Sequence, residues 1–137
     1  MSSGQIAQHI RSIVVAVIKK DNKVLAMPCF DKIKNEVFYR LPGGGIEFGE
    51  KAQTALKREF LEEIGINVNI EKQLPTVENI FEFNGKNGHE IVIPFEATLD
   101  DEEMLKDKFS MIEKEHEGKF IEFIEITKDK RIYPEVL

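Results

Sequence analysis

Residues 51–64 form the strongest predicted helix of the chain, and the segments on both sides of it favour β-strands. The run contains good helix formers and no internal Gly or Pro, and Gly65 follows it as a stop. A proline and three glycines at 42–45 end the strand-like segment before it. One helix among strands indicates an α/β or α+β fold. We find no internal repeat or linker, and therefore expect a single domain over residues 1–137.

The strands are predicted from apolar runs and alternating patterns. Residues 10–19 are apolar on both faces in their middle, which is typical of a central strand. Further strands are expected at 23–30, 37–41, 66–70 and 119–126, with hairpin arms at 79–83 and 90–99 around a turn at 84–88. Pro94 indicates that part of the second arm is an edge or a bulge. The charged residues 100–119 are interpreted as a loop or a short helix.

The charge balance limits the partners that we expect. The sequence has 19 Lys and Arg against 25 Asp and Glu, a formal net charge of −6. This acidity argues against broad binding of nucleic acid, and we do not expect nucleic acid as a partner. A small phosphate-bearing substrate stays compatible with it, because a bound metal ion or a local group of Lys and Arg can reverse the field at one site.

Cysteine usage and hydropathy indicate a cytoplasmic protein. Cys29 is the only cysteine, which excludes an internal disulfide and a thiolate metal cluster, and we interpret it as a small buried residue. The longest apolar run, 13–18, is too short to span a bilayer. The first dozen residues lack the layout of a signal peptide. We expect no membrane partner, and either a monomer or a homodimer.

The predicted helix carries Glu59, Glu62 and Glu63 at spacings that place them side by side on its surface. On a helical wheel, Glu59 and Glu63 border the apolar stripe and do not lie opposite it. Clustered carboxylates repel each other, and hard oxygen ligands are those that Mg²⁺ or Mn²⁺ prefers. The spacing therefore suggests a metal site, although a Glu-rich helix alone is more often only a solvated surface.

The residues around this cluster extend the pattern beyond a metal site. In register along the chain stand Gly44, Glu50, Arg58, Glu59, Phe60, Glu62, Glu63, Gly65 and Ile66. At these spacings they resemble the signature of the Nudix hydrolase family, and they fill each of its fixed positions. The resemblance implies the Nudix α/β/α sandwich, with a mixed β-sheet and the signature as loop, helix and loop. It also implies an enzyme that hydrolyses a pyrophosphate bond with Mg²⁺ or Mn²⁺.

The resemblance implies roles for the signature residues by position. The glutamates Glu59, Glu62 and Glu63 are expected to bind the metal together with the backbone carbonyl of Gly43. A second pair, Glu50 and Arg58, is expected to brace the loop against the helix, with Arg58 orienting a carboxylate.

The general base is less well defined, because in this family it is either a signature glutamate or one from a later loop. We expect Glu62 to be the base, and we keep Glu59 and Glu90 as alternatives.

Residues outside the signature are weaker candidates for substrate contacts. Arg40 is placed to reach a substrate phosphate, although an exposed arginine at a strand end is commoner. His89 and Glu90 are placed in a loop that overhangs the site, as a base or an extra ligand, or else form an ordinary polar hairpin tip. Phe81 and Phe83 are expected either to stack on a base or, more commonly for such a strand, to be core.

The default substrate is a nucleoside or deoxynucleoside triphosphate, cleaved to a monophosphate and pyrophosphate. Outside the signature, the chain lacks the markers of the ADP-ribose, dinucleoside polyphosphate and coenzyme A subclasses of the family. Two alternatives stay open. One is removal of pyrophosphate from RNA 5′ ends, against which the net acidity counts. The other is a non-catalytic module that senses a nucleotide.

Overall fold

The structure of the protein is a computed structural model that describes residues 8–137. Its strands are β1 (Arg11–Val17), β2 (Lys19–Lys20), β3 (Lys23–Asp31), β4 (Glu36–Arg40), β5 (Gly43–Gly45), β6 (Val68–Gln73), β7 (Val77–Phe83), β8 (Lys86–Leu99), β9 (Lys108–Ser110), β10 (Phe120–Glu125) and β11 (Ile132–Tyr133). The helices are α1 (Ala52–Ile64), the short α2 (Asp101–Met104) and a 3₁₀ turn (Lys114–His116). This content confirms the α/β class.

The first sheet is built around β1, which lies between β5 and β8. Strand β5 pairs antiparallel with β1 and strand β8 pairs parallel with it, so the sheet is mixed, as predicted. Strand β8 is long enough to pair on its other side with both β7 and β6. The side chains of residues 13–17 are buried, which confirms the prediction of a central strand.

The second sheet runs in the order β11, β4, β3, β10 and β9, with β2 also paired to β3. Strand β11 pairs parallel with β4, and the other pairs of this sheet are antiparallel. This arrangement brings the last described part of the chain beside β4.

Helix α1 packs its apolar stripe against the first sheet. The buried stripe consists of Ala55, Leu56, Phe60 and Ile64, which share one core with side chains from β1, β3 and β8. The helix ends where Gly65 takes the left-handed conformation at φ 70°, and its N–H bonds to the carbonyl of Phe60 at 3.1 Å. The predicted glycine stop is therefore confirmed. The helix thereby holds Glu59 beside β5, the edge strand of this sheet.

Several predicted boundaries were wrong. The strand expected at 66–70 lies at Val68–Gln73. The turn expected at 84–88 contains only Asn84 and Gly85, both with positive φ, and residues 86–89 belong to β8. His89 and Glu90 therefore lie within a strand and not in a loop that overhangs the site.

Pro94 does not lie on an edge or a bulge, as the sequence had suggested. It lies in the central strand β8, opposite Val15 of β1. Its carbonyl accepts a hydrogen bond of 2.9 Å from the N–H of Leu74, in the segment that connects β6 to β7. The nitrogen of Pro94 faces the same side of the strand as this carbonyl, at the point where the partner of β8 changes from β7 to β6. Because no ladder hydrogen bond is needed from this nitrogen, the missing N–H of the proline costs none.

The charged residues 100–119 contain both a helix and a strand. The short α2 agrees with one of the two expectations for this segment, whereas β9 was missed. Cys29 was expected to be buried but is only half-buried, and this burial raises the pKa of its thiol. No helix within residues 8–137 combines the length and apolarity needed to cross a membrane.

Candidate functional site

The carboxylate of Glu59 lies directly against the backbone of Gly44. A Cβ atom added at Gly44 would stand 2.3 Å from Cδ of Glu59, so the Glu59 carboxylate would have to move away. At Gly43, a Cβ atom would meet the carbonyl oxygen of Val14 at 1.9 Å, because β5 approaches β1 closely there. The glycines therefore provide the space in which the helix glutamate meets the loop.

Arg58 connects the loop to the helix through its whole guanidinium group. Its Nε donates to Glu50 Oε2 at 2.7 Å, and its Nη2 donates to Glu50 Oε1 at 2.9 Å and to the carbonyl of Gly45 at 2.9 Å. Its Nη1 reaches Glu59 at 3.0 Å and Glu62 at 3.3 Å. The hydrogen bonds from Arg58 lower the pKa of Glu50 to about 2, so this pair is charged over the whole physiological range.

The carboxyl groups of Glu59 and Glu63 lie in contact with each other. Burial, the hydrogen bond with Glu59 and the charge of Glu59 together raise the pKa of Glu63 to about 9. The helix-wheel expectation for these residues agrees with the structure: Glu59 and Glu63 are half-buried, whereas the Glu62 side chain is 48% exposed. A partly buried pair of carboxyl groups needs either a shared proton or a cation.

The chain offers a donor set that fits a hard divalent cation. A small concavity is lined by Gly43, Glu59 and Glu63, with Phe60 and Ile64 as its apolar wall. Carboxylate and carbonyl oxygens are the ligands that Mg²⁺ and Mn²⁺ take. The contact between Glu59 and Glu63 supports this fit, because a bound cation would relieve the repulsion that otherwise keeps a proton on Glu63.

Of the predicted substrate residues, Arg40 and Glu90 line a cleft, whereas His89 does not. Arg40 lines a cleft and is close enough to Glu63 to lower the pKa of that carboxyl. Glu90 is buried, with its side chain 4% exposed, and lies 3.6 Å from Arg11 Nη1 and 4.0 Å from Arg40 Nη2. His89 pairs with Glu78 at 3.0 Å and does not line the cleft. Neighbouring side chains along a strand point to opposite faces of the sheet, so Glu90 and His89 cannot both face the cleft.

The cleft that contains Arg40, whose charge reaches Glu63, has a volume of about 1040 Å³. One end is aromatic, with Phe38 in edge-to-face contact with Phe83 at 5.4 Å and with Tyr133 at 5.9 Å between ring centroids. Phe81 also lines the cleft, so neither Phe81 nor Phe83 belongs to the core clusters. The commoner of the two expectations for these residues, a place in the core, was wrong.

Other residues of the cleft were not foreseen from the sequence. His116, Lys119 and Arg131 also line the cleft. A strand of two residues, β11, brings Tyr133 beside β4, and so short a strand has no pattern to detect. The charged segment 100–119 gave no signal that distinguished His116 from its neighbours.

A loop after β9 approaches the C-terminal end of α1. The N–H of Ile112 donates to the carbonyl of Glu63 at 2.8 Å, which attaches the loop to the helix. The next residue, Glu113, is within electrostatic range of Glu59 and Glu62, and its burial and the charge of Glu115 raise its pKa. The acidic group of the helix is thus extended by a glutamate that the sequence did not single out.

The chain is similar in sequence to known proteins. Residues 8–135 match the NUDIX domain. An RNA pyrophosphohydrolase from Pelagibacter ubique is 39% identical over 75 residues, which are 53% of this chain and 46% of that protein. An ADP-ribose pyrophosphatase from Methanocaldococcus jannaschii is 41% identical over 61 residues, 42% of this chain and 34% of that protein. The alignments thus span less than half of the length of these curated relatives.

Solved structures show the same fold. The MutT NUDIX hydrolase from Burkholderia pseudomallei aligns over 90% of this chain and 91% of its own, with a TM-score of 0.61 and 20% identity. A UDP-X diphosphatase aligns over 97% of this chain and 64% of its own, with a TM-score of 0.58 and 20% identity. At this identity the likeness shows the fold alone. The match to the NUDIX domain covers nearly all of the described residues, and the chain therefore belongs to the Nudix family.

Proposed function

We propose that the chain hydrolyses a pyrophosphate bond in a nucleoside diphosphate linked to a second group, and that its substrate is a nucleoside or deoxynucleoside triphosphate. The products are then a nucleoside monophosphate and pyrophosphate. The observation that carries this proposal is the contact between the Glu59 and Glu63 carboxyl groups, which lies beside Gly44 and next to a cleft large enough for a nucleotide.

Glu59, Glu62, Glu63 and the carbonyl of Gly43 would hold a divalent cation, Mg²⁺ or Mn²⁺. When bound, such an ion neutralises phosphate charge and makes water a better nucleophile at neutral pH. Arg58 fixes the carboxylates of Glu59 and Glu62 in place through Nη1, while its other donors are held by Glu50 and Gly45. Arg58 therefore acts as a positioning residue.

Glu62 is our choice for the general base. Its side chain is the most exposed of the three glutamates on α1 that we assign to the site, and its contacts to Arg58 are long, at 3.3 and 3.4 Å. A Glu62 oxygen would take the proton of the attacking water as the new P–O bond forms and the bridging P–O bond breaks. Glu90 is a poor alternative, because its carboxylate is buried and already lies within ion-pair distance of Arg11 and Arg40.

The two ends of the cleft suit the two parts of a nucleotide. Arg40, whose charge reaches Glu63, marks the end where the phosphates would be, and Lys119 also lines the cleft. The aromatic end offers Phe38, Phe83 and Tyr133 to a nucleobase. The cleft of this acidic protein thereby contains cations that can bind phosphate charge.

One specific observation favours a second candidate, removal of pyrophosphate from RNA 5′ ends. A relative with 39% identity over 75 residues is named RNA pyrophosphohydrolase. The net charge of −6 weighs against a long RNA contact, although a 5′-terminal nucleotide alone fits the same cleft.

The test is a substrate panel with Mg²⁺ that includes nucleoside triphosphates, nucleoside diphosphate sugars, ADP-ribose and 5′-triphosphorylated RNA. We expect a (deoxy)nucleoside triphosphate to be cleaved with the highest kcat/KM and to yield monophosphate and pyrophosphate. Removal of metal with EDTA should abolish turnover, and added Mg²⁺ should restore it.

Glu63→Gln and Glu62→Gln test the assigned residues, with Lys57→Gln as a control on an exposed position of the same helix. We expect both glutamine variants to lose at least about a hundred-fold in kcat, as removal of a group that acts in the reaction does, and the control to retain full activity. A wild-type protein that binds nucleotide but cleaves no member of the panel would establish the sensing module instead.

A further inference from the structure

A second group of metal-ligating side chains lies in the loop after β9, outside the Nudix signature. Glu113, Glu115 and His116 each offer one ligand atom, and these atoms all lie within 4.8 Å of one another. Ligands bound to one small dication stand about 2.0–2.2 Å from it and so come this close together. Only a small movement of side chains would bring the three atoms around one ion.

His116 has an atom that lacks a partner. Its Nδ1 is buried and, alone among the buried side-chain nitrogens and oxygens of residues 8–137, forms no hydrogen bond. A buried polar atom without a partner costs free energy and calls for an explanation such as an ion. This observation is independent of the spacing of the three residues.

Backbone hydrogen bonds hold this loop in a defined shape. The N–H of His116 donates to the carbonyl of Glu113 at 3.0 Å, and the carbonyl of His116 accepts from Lys119 at 2.9 Å. The N–H of Ile112 is bound to the carbonyl of Glu63. The three side chains are therefore presented from a fixed turn, so little backbone entropy would be lost when an ion binds.

We propose that Glu113, Glu115 and His116 form a second cation site that takes a first-row transition metal ion such as Zn²⁺ or Mn²⁺. We infer the class of ion from the imidazole, because nitrogen ligands favour Zn²⁺ and other first-row transition metal ions over Mg²⁺. The ligand set on α1 contains only oxygen atoms and therefore suits Mg²⁺. Two carboxylates and a neutral imidazole balance the charge of a dication. The nearby Glu59 and Glu62 add negative potential and attract it further.

This site adjoins the cleft, since His116 lines it together with Lys119 and Arg40. An ion bound there would lie at the phosphate end and would add positive charge that a nucleotide can use. Binding of the ion itself depends only on the three side chains, so it can be tested without assuming the proposed hydrolysis.

The experiment follows the imidazole ¹⁵N signals of the full chain during a Zn²⁺ titration in saturating Mg²⁺. The sequence has three histidines, so His9 and His89 serve as internal references. We expect one equivalent of Zn²⁺ to shift the His116 signals and to leave the other two unchanged. Glu115→Gln should weaken Zn²⁺ binding at least about ten-fold, since even the loss of a residue that only supports a ligand costs that much.

Glu117→Gln is the matched control, because Glu117 is an exposed glutamate next to the cluster but not part of it. It should bind Zn²⁺ as the wild type does. Zn²⁺ binding that leaves the His116 signals unmoved, or that Glu115→Gln does not weaken, would overturn the proposal. A His116 shift caused by a nucleotide in the absence of Zn²⁺, with none caused by Zn²⁺ alone, would also overturn it and would make His116 a substrate contact.

Discussion

The guanidinium of Arg58 donates a hydrogen bond to each oxygen of the Glu50 carboxylate, with Nε 2.7 Å from one oxygen and Nη2 2.9 Å from the other. The same group also reaches Gly45 and Glu59. Only a planar group with several donors can satisfy these partners at once, so charge alone does not explain the arginine.

We therefore expect Arg58→Lys to lose activity although it keeps the positive charge. The lysine ammonium cannot bridge Glu50, Gly45 and Glu59 together, and the resulting displacement of Glu59 should lower kcat roughly ten- to hundred-fold. Steady-state kinetics against Mg²⁺ concentration measure this. Wild-type kinetics in Arg58→Lys would show that the planar arrangement of several donors in the guanidinium group is not required.

Gly44→Ala should inactivate the protein more than Gly45→Ala does. The new Cβ atom at position 44 would collide with the carboxyl group of Glu59, whereas at position 45 the nearest atom is Nη2 of Arg11 at 3.4 Å. Because Glu59 can swing away, we expect a loss of about a hundred-fold in kcat/KM with little change in the urea midpoint. Equal activity of the two variants would place the functional carboxylates elsewhere.

Asp31 should stabilise the fold in a pH-dependent way. It accepts hydrogen bonds from the N–H groups of Ile33, Lys34 and Asn84, and the bond from Lys34 contributes most to lowering its pKa. A lowered pKa in the folded state means that the contribution is complete above the unfolded value of about 3.9 and is lost as the pH falls through the folded value.

Asp31→Asn should therefore reduce the free energy of unfolding at pH 7, and its difference from wild type should shrink as the pH falls below about 4. Urea unfolding across a pH series measures this. Asp21→Asn removes a carboxylate at an exposed turn and serves as the control for the change of net charge alone. A difference for Asp31→Asn that stays constant with pH would contradict the assignment.

Phe83→Leu should weaken nucleotide binding and leave the chemistry intact. Phe83 lines the aromatic end of the cleft, and stacking of a base on an aromatic ring contributes about 1–3 kcal/mol, so KM should rise roughly ten-fold or more with kcat unchanged. Phe120→Leu, a half-buried ring outside the cleft, is the control. A fall in kcat without a change in KM would argue against a base at this end.

The sequence predicted the parts of the molecule whose signals are local. Helix α1 was predicted to end at Ile64, because good helix formers end at a glycine that can take a positive φ. Strand β1 was predicted as central because it is apolar on both faces. The position of Glu59 and Glu63 beside the apolar stripe also followed from helix periodicity alone.

Features that depend on distant parts of the chain were not predictable. His89 and Glu90 were expected in an overhanging loop or at a hairpin tip, because nothing local shows that the two-residue turn of Asn84 and Gly85 lets β8 begin at Lys86. Tyr133 joins the cleft only through the pairing of β11 with β4. The approach of Glu113 to the helix depends on a hydrogen bond from Ile112 to Glu63, which has no trace in composition or periodicity.

The parallel pairing of β1 with β8 has a consequence for how the protein is made. During synthesis, β1 leaves the ribosome long before β8, and β5 and α1 emerge between them. Until β8 arrives, one side of β1 is an open edge and the core beneath α1 is incomplete. The acidic cluster thus reaches its final arrangement only late in synthesis. A nascent chain halted before β8 should have no activity, and its unpaired strand edges should be bound by chaperones.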